Sequence, residues 1–129
     1  MRTFFVDGKP QGKGRPRFSR HVVYTPKETI EYEHRIAEAY DGECLAGSLF
    51  VDICAYFSIP KSYTKTQRNA IKNGYLTPTK KPDADNIGKV VLDALNGIAY
   101  EDDKQVIELR VSKKYSEDQE GLRITIGEA

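Results

Sequence analysis

Residues 85–97 read DNIGKVVLDALNG and carry the clearest structural signal in the chain. The apolar residues recur at the i, i+3, i+4, i+7 and i+8 spacing of a stripe along one side of an α-helix. They are Ile87, Val90, Val91, Ala94 and Leu95. Gly97 follows as a stop, because glycine adopts the left-handed backbone that ends many helices. The pattern predicts a helix from about Asp85 to Asn96 with one side buried.

The strongest strand pattern lies upstream, at residues 49–57. Its apolar side chains occur at both odd and even positions, so both faces of the strand carry them, and a central position in a sheet is predicted. Asp52 interrupts this run. It is either a structural charge near the strand end or a neighbour of a metal site, and we favour the structural role.

Weaker patterns predict the other elements. In chain order these are a strand at 2–7, a loop at 8–20, a strand at 21–24, a helix at 26–40 with Thr25 as its cap, a basic helix at 64–73, a loop at 75–82, and strands around 107–111 and 122–126 joined by a hairpin connection at 116–121. Strands and helices do not alternate regularly. The predicted fold class is therefore α+β, a mixed sheet with helices packed on it, in one domain at 1–129.

Composition excludes several classes of protein. A hydrophobic content of 39% argues against disorder, and no apolar run approaches the ~18 residues of a membrane helix. The first residues lack the apolar core of a signal peptide. Two cysteines and two histidines complete no disulfide or zinc pattern. We expect a cytoplasmic protein without membrane association.

The charges are unevenly distributed, although the formal net charge is only +1. Residues 8–27 and residues 53–82 contain no acid, and each tract carries six of the twenty Lys and Arg residues. Such tracts suit a polyanion, because neutralising phosphates releases condensed counterions. Either tract alone could be a solvated basic loop. Their position before a cluster of acids favours nucleic acid as the partner.

That cluster begins with Asp83 and Asp85 at the predicted helix start, followed one turn later by Lys89. Asp93 stands ~12 Å along the axis from Asp85, too far to share an ion as a direct ligand. The seven residues from Gly97 to Asp103 span at most ~23 Å. They could therefore return Asp102 or Asp103 to the helix start. Clustered carboxylates beside a lysine suit metal-assisted phosphodiester cleavage.

Each of these residues also has an ordinary structural explanation. Asp83 or Asp85 could cap the helix. Lys89 and Asp93 could form an exposed i, i+4 pair, and Asp102 and Asp103 could lie in a solvated turn. It is the combination of all these residues with the adjacent Lys80 and Lys81 that favours a site.

The run KPDADNIGKVVLDALNGIAYEDDKQV, residues 81–106, resembles the signature of the RusA family of Holliday-junction resolvases. A weaker likeness extends upstream, where residues 13–17 are similar to the basic segment that follows the family's first strand, and downstream through 111–115. The resemblance implies one RusA-like endonuclease domain over 1–129. It also implies a homodimer that binds four-way DNA junctions and resolves them by symmetric nicks in recombination and repair. Mg²⁺ is the implied cofactor, with Mn²⁺ a possible substitute and no small-molecule cofactor.

The resemblance also assigns roles to residues. The metal-binding aspartates correspond to Asp83, Asp85 and Asp103, and the essential lysine corresponds to Lys89. Asn86, Asp93 and Asp102 are expected to support them. The expected DNA contacts are Lys13, Arg15, Arg17, Lys80 and Lys81, although the arginines could instead stabilise a turn. A broader nuclease of flaps and branched DNA, a junction-binding protein that does not cleave, and an acidic interaction module remain as alternatives.

Overall fold

The helix predicted from the apolar stripe is present at Ala84–Leu95 in the computed structural model, which describes all of residues 1–129. The strands are β1 (Arg2–Asp7), β2 (Arg17–Ser19), β3 (Val22–Tyr24), β4 (Leu49–Ser58), β5 (Val106–Ser116) and β6 (Gly121–Glu128). The helices are α1 (Lys27–Ala39), α2 (Lys65–Lys72) and α3 (Ala84–Leu95), with a 3₁₀ turn at Asp103–Gln105. No helix has the length and apolar character needed to span a membrane.

Four strands form a mixed sheet in the order β1-β6-β4-β5. Strand β4 is central as predicted, antiparallel to β6 and parallel to β5. The α+β prediction is confirmed. The predicted hairpin connection at 116–121 is wrong, because β5 and β6 do not pair with each other but flank β4. Local alternation identified both strands, but it carries no information about which strand lies beside which.

The core lies between one face of this sheet and helices α1 and α3, which pack against each other. The α3 stripe is buried as predicted, and Ile87, Val90 and Leu95 have no exposed surface. Gly88 permits β5 to approach α3 closely, since a Cβ at this position would stand 3.1 Å from Leu109 Cδ2. The packing therefore fixes the exposed side of α3 relative to the sheet.

Asp52 lies on the opposite face of the sheet from the core, beside Arg110 in register. Its neighbours Val51 and Ile53 point toward the helices and are buried. Because side chains alternate along a strand, Asp52 points away from α3. The structural interpretation of Asp52 is therefore favoured over a place near the acids of α3.

Local capping explains the helix boundaries. Thr64 caps α2 as the residue types suggest: its hydroxyl accepts from the Gln67 N–H, and the Gln67 side chain accepts from the Thr64 N–H. Helix α1 begins one residue later than predicted. Pro26 occupies the capping position there and supplies no side-chain hydrogen bond, so Thr25 is not the cap.

The predicted loop at 8–20 is wrong at its end, where β2 pairs with β3 in a small antiparallel hairpin. Strand β2 has only three residues, Arg-Phe-Ser, all exposed. A segment this short shows no period-2 alternation, so the sequence pattern does not reveal it.

Candidate active site and nucleic-acid interface

The N-terminal end of α3 presents two exposed carboxylates. Asp83 occupies the capping position, yet its side chain accepts no capping hydrogen bond, so its oxygens remain free. Asp85 follows in the first turn. Neither carboxylate forms an ion pair with a protein cation. The ion pairs of the protein join Arg2, Lys13 and Lys27 to other acids. These carboxylates therefore keep their full capacity to bind a cation from solution.

Lys89 stands on the same side of α3, one turn beyond Asp85. It is exposed and has no acidic partner. The axial separation of four residues is ~6 Å, within reach of a lysine side chain. Its ammonium is free to meet a phosphate bound near Asp85.

Asp103 lies near the other end of α3. Its backbone N–H donates to Asn96 Oδ1 at 3.1 Å. Desolvation, with the neighbouring Asp102 and Asp93 carboxylates, raises the pKa of Asp103. The chain after Gly97 therefore returns Asp103 to the region of Asp93, and Asp85 lies a further ~12 Å along the axis from Asp93. No group of three His, Cys, Asp or Glu side chains converges closely enough to hold an ion.

Asp102 stabilises the turn that precedes β5. Its carboxylate accepts from the Lys104 N–H at 2.9 Å, which lowers the pKa of Asp102. In return, Gln105 Oε1 accepts from the N–H groups of Glu101 and Asp102. These contacts fix the orientation of the turn that carries Asp103. They favour Asp103 over Asp102 as the residue that contributes to chemistry.

The chemistry of this donor set fits a hard divalent cation. Mg²⁺ takes oxygen ligands and usually keeps several waters, with one or two carboxylates and the substrate phosphates completing its shell. The unpaired oxygens of Asp83 and Asp85 meet that need.

A loop of the N-terminal basic tract packs over the start of α3. The Lys13 N–H donates to the carbonyl of Asn86 at 2.9 Å. Gly12 fits tightly there, since a Cβ would stand 2.8 Å from Asn86 Cβ and 3.0 Å from Pro82 Cβ. The backbone carbonyl of Asn86 therefore helps to hold this loop, and a supporting role for the Asn86 side chain stays a prediction. The loop is held against the helix that carries the acids.

Lys13 was predicted to contact DNA, and the structure gives it a different role. Its ammonium lies 2.9 Å from Glu33 Oε2 and 3.0 Å from Asp93 Oδ2, and its side chain is only 18% exposed. The cation is therefore already neutralised, and it ties the loop to both α1 and α3. Asp93 thus binds Lys13, and a supporting role for Asp93 in the site stays a prediction. No sequence pattern indicated that Glu33 would pair with Lys13, because the two residues are 20 positions apart in the chain.

Replacing Lys13 by methionine is expected to destabilise the protein by about 2 kcal/mol, between the values for exposed and buried pairs. Burial lowers the pKa of Lys13, but Glu33 and Asp93 outweigh it and raise that pKa above its ordinary 10.5. The ion pairs therefore contribute fully below pH 10.5 and are lost as pH rises through the raised value. Urea unfolding at pH 8 and at alkaline pH measures this. An equal difference between the two proteins at both pH values would contradict the assignment.

A basic groove of about 410 Å³ extends from this loop to Asp83. Its lining includes Lys9, Lys13, Arg15, Lys81, Asp83 and Asn86. Arg15 and Lys81 have no acidic partner, so positive charge that no acid neutralises extends along the groove to the position of Asp83. A larger concavity of about 560 Å³ lies beside Asp102 instead, and it contains neither Asp83 nor Asp85.

The other predicted DNA contacts lie at the surface. Arg17 is exposed on β2. Lys80 is exposed too, with its ammonium 5.6 Å from the centre of the Phe57 ring. Lys113 Nζ lies at the same distance from that ring, and it donates to the Lys80 carbonyl. These contacts give the segment before Asp83 a defined path, which the sequence did not indicate.

Comparison with known proteins agrees with this arrangement. The profile of the family described as Endodeoxyribonuclease RusA matches residues 7–127. The chain is also 38% identical over 125 residues to the protein of Bacillus subtilis (strain 168) named "Uncharacterized protein YqaN", an alignment that covers 89% of this chain and 88% of that protein. The match runs from the end of β1 into β6 and includes the groove and all of α3. The chain therefore belongs to the RusA family of endodeoxyribonucleases.

Proposed function

We propose that this protein is a Mg²⁺-dependent endonuclease that resolves four-way DNA junctions by paired symmetric nicks in recombination and repair. The observation that carries the proposal is the groove in which the unpaired cations Arg15 and Lys81 lead to the free carboxylate of Asp83. Asp85 and Lys89 follow on the next turns of α3. A phosphate drawn into the groove arrives where a cation can be bound. Membership of a nuclease family supports this use of the groove.

The proposal gives each of these residues a separate role. Arg15 and Lys81 hold the DNA backbone in the groove beside Asp83. Asp83 and Asp85 would hold Mg²⁺. Asp103 lies beside Asn96 and Asp93, too far from Asp85 to share that ion directly, and we propose that it supports the site from there. When bound, the ion supplies Lewis acidity that activates water and stabilises charge on the phosphate. The Lys89 ammonium stabilises the charge that develops on the scissile phosphate.

Resolution of a junction requires two cuts on opposing strands. A twofold homodimer presents two equivalent sites for them, and we include this assembly in the proposal. We also propose a cytoplasmic location. Light scattering with size-exclusion chromatography should give twice the chain mass of 14.6 kDa, and a monomer that still nicks symmetrically would contradict the dimer.

The test of the function is cleavage of a labelled synthetic four-way junction, compared with a flap, duplex and single strands, each with Mg²⁺ or EDTA. Paired symmetric nicks that appear only on the junction and only with metal support a resolvase. Equal cutting of flaps and junctions would identify a broader branched-DNA nuclease. Binding without cutting under all metal conditions, Mn²⁺ included, would identify a non-cleaving junction protein.

The double substitution Arg15→Ala with Arg17→Ala is expected to weaken junction binding. Each arginine that neutralises one phosphate contributes about one unit to the slope of log K against log salt, so the slope should fall by about two. Fluorescence anisotropy in EDTA at several salt concentrations measures this. The charge-matched control is Arg110→Ala with Arg123→Ala, on strands of the main sheet. The same slope change in both double variants would remove the assignment of Arg15 and Arg17 to DNA binding.

A further inference from the structure

The hairpin formed by β2 and β3 has no buried residue. Phe18 is 78% exposed, Val22 is 61% exposed and Val23 is 59% exposed. Its two strands pair with each other, and neither has extensive contact with another strand or helix. A two-stranded hairpin alone is only marginally stable in water. Apolar side chains held out on such an arm indicate a surface that is covered when a partner binds.

The charge of the arm identifies that partner as a polyanion. Arg15, Arg17 and Arg20 form no ion pair, and residues 8–27 contain no acid. The base of the arm is Arg15, which lines the groove that reaches Asp83. The hairpin therefore continues the basic groove rather than forming a separate surface.

The turn of the hairpin supports the same partner. Arg20 has a positive φ of 52°, a conformation that glycine or asparagine adopts at lower cost. The chain nevertheless places an arginine there, at the tip of the arm. This position suits a contact with phosphate beyond the end of the groove.

Phe18 pairs directly with Val23 across the two strands, so both side chains lie on one face of the hairpin. Arg17 and Tyr24 form the next pair and lie on the other face. The arm thus has one face with an aromatic ring beside an aliphatic side chain, and a cation on its other face. Apolar side chains of this kind insert between base steps, and aromatic rings stack on bases of any sequence.

We propose that the hairpin is a wedge that inserts Phe18 between bases at the branch point of the DNA while its arginines hold the flanking phosphates. This inference rests on the proposed function and adds a means of selecting branched DNA. A branch point offers bases whose stacking is already interrupted, whereas an intact duplex must be unstacked first. The groove and α3 then act on a strand that leaves the branch point.

The experiment places the fluorescent base 2-aminopurine at the crossover of a four-way junction and measures emission and binding in EDTA. The unsubstituted protein should raise the emission, because the base loses a stacked neighbour. Phe18→Ala should abolish the rise and weaken junction binding about tenfold, the loss of one base–aromatic stack, with duplex binding unchanged. Phe18→Trp should retain both properties. The matched control is Tyr75→Ala, another exposed aromatic in the loop after α2, which should behave as the unsubstituted protein.

Unchanged emission and affinity in Phe18→Ala would overturn the wedge, and so would an equal loss in Tyr75→Ala. A change in oligomeric mass of Phe18→Ala would overturn it in favour of a contact between two copies of the chain. If the unsubstituted protein neither binds nor cuts the junction, the proposed function fails as well. If it binds and cuts but Phe18→Ala matches it throughout, only the wedge fails.

Discussion

Asp85→Asn is expected to slow junction cleavage by at least roughly a thousandfold, since several kcal/mol of metal-dependent stabilisation of the transition state are lost. Asp85 is exposed at the start of α3 and has no protein cation to neutralise it. The amide has nearly the same shape but lacks the charge that attracts a divalent ion. Junction binding should be unchanged or tighter, because one negative charge near the phosphate disappears.

Single-turnover cleavage with saturating protein measures this loss, and anisotropy in EDTA measures binding. The matched control is Asp118→Asn, the same change at an exposed acid between β5 and β6. It should cut like the unsubstituted protein. Undiminished nicking by Asp85→Asn would remove the assignment of the α3 acids, and loss of cutting in both variants would indicate a general effect of charge.

Lys89→Ala is expected to reduce cleavage about a hundredfold, the lower end of the loss when one stabilising donor is removed. Lys89 is exposed and has no acidic partner, so its removal leaves no carboxylate uncompensated. The free energy of unfolding should therefore stay the same. Junction affinity should change little, because one phosphate contact among many contributes only about one unit to the salt slope.

The same single-turnover assay distinguishes this role from a binding role. A fall in cleavage rate at saturating protein supports stabilisation of the reacting phosphate. A defect that disappears at saturation would make Lys89 a binding residue only. Lys114→Ala, an exposed lysine on β5, is the control and should leave both rate and affinity unchanged. Lys89→Arg keeps the charge and should recover part of the rate.

The elements with long periodic patterns were predicted well. The α3 stripe is buried, and the central position of β4 is confirmed. Both are consequences of local spacing, because a period of 3.6 or 2 assigns every side chain to one face. The exposed side of α3, and hence the placement of Asp85 and Lys89 on the surface, follows from the same spacing.

Interactions between distant segments were not predictable in this way. Lys13 was expected at the DNA surface, but it binds Glu33 and Asp93 from two different helices. Its role depends on how α1 and α3 pack, and no local pattern encodes that. A second example is β5, which pairs with β4 and not with β6. The β2 strand is a third, since three residues carry too little periodicity to be recognised.

The chain's own residue order established the α+β class, the helix of the site, the resemblance to RusA nucleases and the residues proposed for chemistry. These four conclusions depend on local periodicity and on a contiguous motif, and both are properties of residues that are close together in sequence. The folded arrangement established that Lys13 is a structural cation, that Asp103 lies toward Asp93, that a basic groove reaches Asp83, and that an exposed hairpin extends from it. These depend on packing between segments far apart in sequence, where the free energy of burying apolar surface and pairing charges selects one arrangement.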